Sequence, residues 1–395
     1  MSAESTKPSR SSTVEHSLRS KLIERARALG ALSVRFTKAD GDGETADRMR
    51  ASFERGDLRT WRYDDRYARR ASSPQSLLAN ARTVVCIGMP YATPPLAARP
   101  LSGRVSNYAW SSDYHRRMKG ILYELSSLIE QSAGEGSTRV VCDTAPLAER
   151  AFAARAGLGW VGKHTNLIDP LFGSFVFLGE IVTSVAFEPD ETLRKNCGSC
   201  RRCVDVCPTG ALRGDYTIDA TRCISDLTQR TDGIPREMRA LIGTWVWGCD
   251  LCQLICPPTQ QAGFTSSADN SAISQDAATP LLVRLLRLRS SEFRRIFAPT
   301  AIGWRGAAVL RRNAAVALGN ALDRSTVPPL TDALEKDPHP MVRGHAAWAL
   351  GRIGSPAAIS VLRKQREREM IETVREEIAS ALEPFAGESA FMQVK

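Results

Sequence analysis

Four cysteines in the segment CGSCRRCVDVCPTGAL, namely Cys197, Cys200, Cys203 and Cys207, stand at C-x2-C-x2-C-x3-C-P spacing. This is the ligand run of bacterial two-cluster ferredoxins, whose fourth cysteine serves the other cluster. The two-residue gaps let three thiolates cap three irons of one cubane, and the fourth, a helical turn further on, faces the other cluster. A second run, CDLCQLICPP, carries Cys249, Cys252 and Cys256 before Pro257 and lacks its first cysteine; Cys223, in the upstream segment TRCISDLTQ, supplies it. The crossover rule then gives one 4Fe-4S cluster to Cys197, Cys200, Cys203 and Cys256, and the second to Cys207, Cys223, Cys249 and Cys252. A pair of structural zinc sites is the alternative, although zinc does not require the x3-C-P endings. The remaining two cysteines, Cys86 and Cys142, lie in apolar strand patterns and read as small buried hydrophobes.

In a reducing compartment such as the cytoplasm, cysteines packed this closely are more often metal ligands than disulfides. The N-terminus, MSAESTKPSRSSTVEHSLRSKLIERARALG, has no apolar stretch behind its basic residues, unlike an export leader. The longest apolar region, Leu171 to Phe187, is broken by Gly173, Ser174, Gly179 and Glu180, well short of the roughly 20 residues of a membrane span. A cytoplasmic protein with no membrane segment is expected, and we expect a monomer.

With 395 residues the chain is long enough for two or three domains, at roughly 100 to 200 residues each. Positions 1–190 read as an α/β domain. Leu18, Leu22, Ile23, Ala26 and Leu29 recur at helical spacing, and residues 83–89, 139–142 and 175–187 have strand character. A helix pattern from Ala148 to Ala156 ends at Gly157 and opens a Gly-rich loop. Residues 191–260 form the cysteine region, short on secondary-structure signal because metal ligation can stand in for a hydrophobic core. Residues 261–280, rich in Ser, Ala, Gln and Asp, read as a linker.

From residue 281 to the end, a repeat appears. Arg311, Arg343 and Arg375 recur at one constant interval, and Ala315, Ala347 and Ala379 recur at the same interval, a period that fits helical pairs stacked in a small α-solenoid. The net charge of +10 suggests an anionic partner, and the tail carries 18 Lys and Arg against 12 Asp and Glu. Arg311 and its equivalents are at least as well explained by pairing with an acidic turn residue such as Asp337. Arg305 and Arg312, outside the repeat, are the candidates for nucleic-acid phosphate. The tail is expected to be separable, so that truncation after Pro280 leaves both clusters assembled.

The ordered combination of SNYAWSSDYHRRMK, CDTAPLAERAFAARAGLGWVGKHTNLI, GSFVFLGEI, the two cysteine runs with RCISDLT between them, and a basic HEAT-like tail resembles the epoxyqueuosine reductases over nearly the whole chain. The resemblance implies an N-terminal cobalamin-binding α/β domain of nitroreductase-like type, a ferredoxin-like domain and a HEAT-like solenoid that binds tRNA. It implies base-off cobalamin, reduced to Co(I) by the clusters, acting on the epoxide of epoxyqueuosine at the tRNA wobble position. The electron donor is external and unidentified. Asp143, at the end of the strand RVVC and before Thr-Ala-Pro, is the proton donor that the resemblance implies; the residues alone equally suit a turn or helix cap. Contacts to cobalamin are expected from Ser106, Tyr108 and Asp143, from Lys163, His164, Asn166 and Leu167 of the Gly-rich loop, and from Ser225 beside Cys223. His164 is not expected to ligate cobalt. Asp113, Tyr114 and His115 are explained as well by a capped helix as by the pocket. Two rival classes are a cytoplasmic reductive dehalogenase, which lacks a basic helical repeat, and a noncatalytic electron-transfer or corrinoid-activating protein, which lacks the proton-donor loop.

Overall fold

The computed structural model describes residues 10–58, 61–94, 96–97, 99–264 and 275–385. The first nine residues of the chain, residues 265–274 of the expected linker and the last ten residues lie outside them.

Alternating and apolar runs in the first half form a four-stranded sheet in the order Ser33–Lys38, Thr83–Pro90, Val176–Thr183, Thr138–Val141, every neighbour antiparallel. The apolar run at residues 83–90 is buried on both faces, as a central strand demands. Helices Arg10–Ala28 and Tyr114–Ala133 cover one face, burying Leu22, Met118, Leu122 and Ile129 against Phe36, Ile87 and Ile181. Gly179 makes this approach possible, because a Cβ there would lie 2.8 Å from the Met118 Cγ. The short helix Glu149–Arg155 covers the other face, with Phe152 and Ala153 against Val84, Cys86 and Val182. Cys86 and Cys142 are both buried in this sheet.

The cysteine region contains only short helices, Arg202–Asp205, Ile224–Gln229, Arg236–Arg239, Leu251–Leu254 and Pro257–Ala262, a 3-10 turn at Ala240–Ile242, and one strand, Trp245–Trp247, which runs parallel to Arg104–Val105. It nonetheless has an apolar core. Ile224, Leu227, Val246 and Trp247 are buried in one cluster with Leu282, Leu285, Leu310 and Leu318 of the C-terminal helices. The described end of the expected linker is packed too: Gln275–Ala278 is helical with Ala277 and Ala278 buried, and Gly103 donates its N–H to the Pro280 carbonyl.

Beyond this, Ala307–Ala321, Val327–Lys336, Pro340–Ile353, Pro356–Arg366 and Glu372–Leu382 stack as helical pairs. Two of the repeat arginines pair with acids of the following turn, Arg311 with Asp337 at 2.7 Å and Arg343 with Glu369 at 2.8 Å, while Arg375 pairs with Glu372 of its own helix. Arg312 corrects the expectation of a phosphate contact. It is fully buried, and its guanidinium donates to the carbonyls of Leu227, Thr228, Arg230 and Asp232. A long cation whose donors are all engaged inside the protein has nothing left for a ligand. Arg305 is part-buried, its Nε donating to the Gln229 carbonyl at 2.6 Å and its guanidinium lying 3.6 Å from the Trp304 ring centre.

Candidate active site

The strand Thr138–Val141 is an edge strand, and the chain leaves it through Cys142 into a tight loop. Asp143 adopts φ +62, the left-handed region that few residues other than glycine visit and that Asp tolerates better than most. Its N–H is held by Glu149 Oε1 at 2.6 Å. Its side chain is 62% exposed, with Oδ2 3.3 Å from His115 Nε2, while the other ring nitrogen, Nδ1, lies 2.6 Å from Asp113 Oδ1. Asp113 caps the helix Tyr114–Ala133 by accepting the His115 N–H, so the helix start fixes the histidine and the histidine meets the loop. The Asp143 and Asp113 carboxylates raise the His115 pKa above the usual histidine value against the opposing effect of burial.

Behind the loop, Glu180 is fully buried in the middle of the sheet, opposite Cys86 and Val141. Burial, and then the neighbouring Glu149, drive its pKa well up, while burial pushes Glu149 up to about 7. Burial and repulsion from neighbouring carboxylates thus push both carboxyls toward the neutral form.

The opposite wall comes from the cysteine region. Ser106 is buried and donates to Asp250, whose other oxygen accepts the Asn107 N–H at 2.7 Å. Gly248, at φ +65, allows this approach, since a Cβ there would lie 2.5 Å from Ser106 Cβ. Tyr108 accepts a hydrogen bond from Trp247 Nε1 at 2.8 Å, and Gln229 donates to Ser225 Oγ at 3.0 Å. Gln229 also bonds Tyr108, and the Asp143 charge is felt at Tyr108. Ser106, Tyr108 and Ser225 thus belong to one hydrogen-bonded wall whose Tyr108 lies within reach of the Asp143 charge, and the rings of Tyr114, Phe177 and Tyr91 stack in a row.

The thiols fall into two neighbourhoods. Cys256 lies near Cys197 and Cys203, and Cys203 near Cys197 and Cys200; Cys249 lies near Cys223 and Cys207, and Cys252 near Cys223 and Cys249 and, more weakly, near Cys203 of the first group.

A family model described as a 4Fe-4S double cluster binding domain matches residues 196–259, one for HEAT repeats matches 305–383, and one for epoxyqueuosine reductase QueG, DUF1730, matches 71–144. The epoxyqueuosine reductase of Bacillus subtilis is 35% identical over 373 residues, covering 93% of this chain and 96% of its own. The chain belongs to the epoxyqueuosine reductase family. The Escherichia coli member is 39% identical over 288 residues, 71% of this chain and 75% of its own. Among solved structures, a family member with an epoxyqueuosine-modified tRNA-Tyr stem loop superposes with a TM-score of 0.87 at 35% identity, covering 93% of this chain and 99% of that one. Another, from Bacillus subtilis with the catalytic aspartate loop swung out of the active site, gives 0.86 at 34% identity and the same coverage.

The cofactors implied for the family can be set against these residues. Two groups of four thiols suit two cubanes. For cobalamin, a broad ring edged with amides, the wall supplies stacked aromatic rings and a buried acceptor, Asn107 Oδ1, that has no hydrogen-bond partner among the described residues. In the Gly-rich loop, the side chains of Lys163, His164 and Leu167 are engaged elsewhere. The Lys163 ammonium donates to the carbonyls of Gly198 and Cys200, at 2.8 and 3.1 Å. His164 folds into its own loop, its Nδ1 accepting the Asn166 N–H, and burial lowers its pKa to about 4. Leu167 is packed in the core beneath the sheet. Sequence reasoning did not single out Asp250, Glu149, Glu180 or Gln229. The one signal that could have found Asp250 is an acidic residue inside GCDLC, and its cysteine neighbours mask it.

Proposed function

We propose that the protein reduces the epoxide of epoxyqueuosine at the wobble position of a tRNA to the alkene of queuosine, in the cytoplasm and as a monomer. The overall change consumes two electrons and two protons and releases water. Cobalamin held between the N-terminal wall and the cysteine region would supply a strongly nucleophilic Co(I) centre, fed by the two clusters. In this reading residues 1–190 form the catalytic domain, 191–260 the ferredoxin-like domain, 261–280 the connection and 281–395 the tRNA-binding solenoid. Asp143 delivers a proton to the departing epoxide oxygen and His115 orients its carboxyl. Ser106, Tyr108 and Ser225 line the cofactor's resting place, with the backbone of residues 163–167 at its margin.

The observation that supports the proposal is that the Asp143 charge reaches Tyr108, which Gln229 links to Ser225, close along the chain to Cys223. For tRNA, the exposed Arg287, Arg289, Arg294 and Arg295 replace Arg312 as phosphate contacts, with Arg305 beside Gln229. Anaerobically reconstituted protein given cobalamin, a reductant and epoxyqueuosine-containing tRNA should yield queuosine, read by mass spectrometry of the digested tRNA. Full cofactor loading without queuosine would reject the reading.

A further inference from the structure

The loop that carries Cys197 and Cys200 differs from the other ligand segments in what surrounds it. Residues 194–196, 198, 199, 201 and 202 are all exposed, whereas Ile224, Gly248 and Asp250, beside ligands of the other quartet, are buried. Cys197 and Cys200 thus sit in a loop at the surface, whereas the chain around Cys223 and Cys249 has buried neighbours. The exposed collar is strongly basic: residues 194–205 hold Arg194, Lys195, Arg201 and Arg202 against a single acid, Asp205, which sits 3.7 Å from Arg201. A fifth cation stands behind the loop. Lys163 is buried, its ammonium rests on the Gly198 and Cys200 carbonyls, and its N–H points at Cys197 Sγ, 3.4 Å away.

We propose that this collar is the docking surface for an acidic one-electron carrier protein of the flavodoxin or ferredoxin class, with the Cys197 quartet as the point where electrons arrive. The inference rests on the cluster assignment within the proposed function, but not on the tRNA chemistry. A 4Fe-4S cluster takes one electron at a time, so each encounter oxidises the carrier by one electron and reduces the cluster by one. Two encounters match the two electrons that the epoxide consumes. Redox partners meet through small, weakly held interfaces, and like-signed cations around an exposed cofactor raise the encounter rate with an acidic partner by roughly 10- to 1,000-fold, an advantage that salt removes.

The test is stopped-flow bleaching of the reconstituted protein by reduced flavodoxin at low ionic strength, in wild type and in the paired variants Arg194→Glu with Lys195→Glu and Arg201→Glu with Arg202→Glu. All four side chains are exposed, so the fold should tolerate the changes. The expected result is a second-order rate at least tenfold lower in each pair and a flattened salt dependence, with reduction by methyl viologen radical undiminished. Titration with oxidised flavodoxin should show weakened binding in parallel. An unchanged flavodoxin rate, or an equal loss with methyl viologen, overturns the docking surface. Fast cluster reduction by flavodoxin in a protein that makes no queuosine would reject the proposed function and leave the docking surface standing.

Discussion

Cys197 and Cys200 sit in a loop whose neighbours are nearly all exposed, while Asp143 is held by partners gathered from a helix start, a second helix and the middle of a sheet. The cysteines are placed by short intervals along one stretch of chain, and little else in the fold is needed to bring them together. Asp143 depends on Asp113 and His115 at the start of a preceding helix, and on Glu149 braced by Glu180 of another strand. Groups fixed by local spacing tolerate change elsewhere in the fold, and groups fixed by distant partners do not.

The largest expected effect tests whether the cysteine region is as self-contained as that contrast suggests. Its core is shared with Leu282, Leu310 and Leu318, so truncation after Pro280 should abolish cluster assembly, against the separability expected from the sequence. Iron analysis decides it: about eight iron per truncated chain, as two cubanes require, would restore the separable tail. Arg312→Met, a milder insult to the same contact, strands several buried carbonyls and should cost about 3 kcal/mol or more, read by chemical denaturation.

Asp143→Asn comes next. Losing a positioned proton donor should reduce turnover by roughly 100-fold or more, with clusters, cobalamin and tRNA binding retained; near-normal turnover would return Asp143 to a turn-forming role. His115→Asn should cost less, about tenfold, because it positions the acid and does not replace it. The pairing also has a pH signature. A histidine raised by carboxylates contributes stability that is fully present below the ordinary histidine pKa, near 6.5, and lost as pH rises through the raised folded value. His115 should therefore titrate lower in Asp143→Asn than in wild type, followed by NMR of its ring protons; an unmoved titration would dissolve the link. The smallest effect is expected at Lys163→Met, which removes a buried cation behind one quartet only. One of the two clusters should shift to lower potential in an EPR-monitored titration, and a shift of both, or neither, would show that Lys163 is only a loop staple.

The ligand spacing, the recurrence of Arg311, Arg343 and Arg375, and three of the four sheet strands are legible in the sequence because each is a short-range pattern. The fourth strand, Ser33–Lys38, is not, since SVRFTK mixes charge into an edge position. The wall that holds Ser106 is invisible for a different reason. Ser106 and Asp250 meet from distant parts of the chain, and nothing in either neighbourhood announces the other. Arg312 misleads because composition records the charge of an arginine but not its burial. Lys163 and His164 mislead because a Gly-rich loop beside a cofactor site can turn its side chains away from it.

The bonds from Arg312 to residues 227–232 have a consequence for how the protein is made. Ribosomes deliver domains from the N-terminus, and these generally fold as units when they emerge. Here the carbonyls of Leu227, Thr228, Arg230 and Asp232 find their donor only much later in the chain. The cysteine region therefore leaves the ribosome unfinished. Its backbone settles once Ala307–Ala321 has been synthesised, which places cluster insertion late and leaves the nascent ligand thiols waiting in the reduced state.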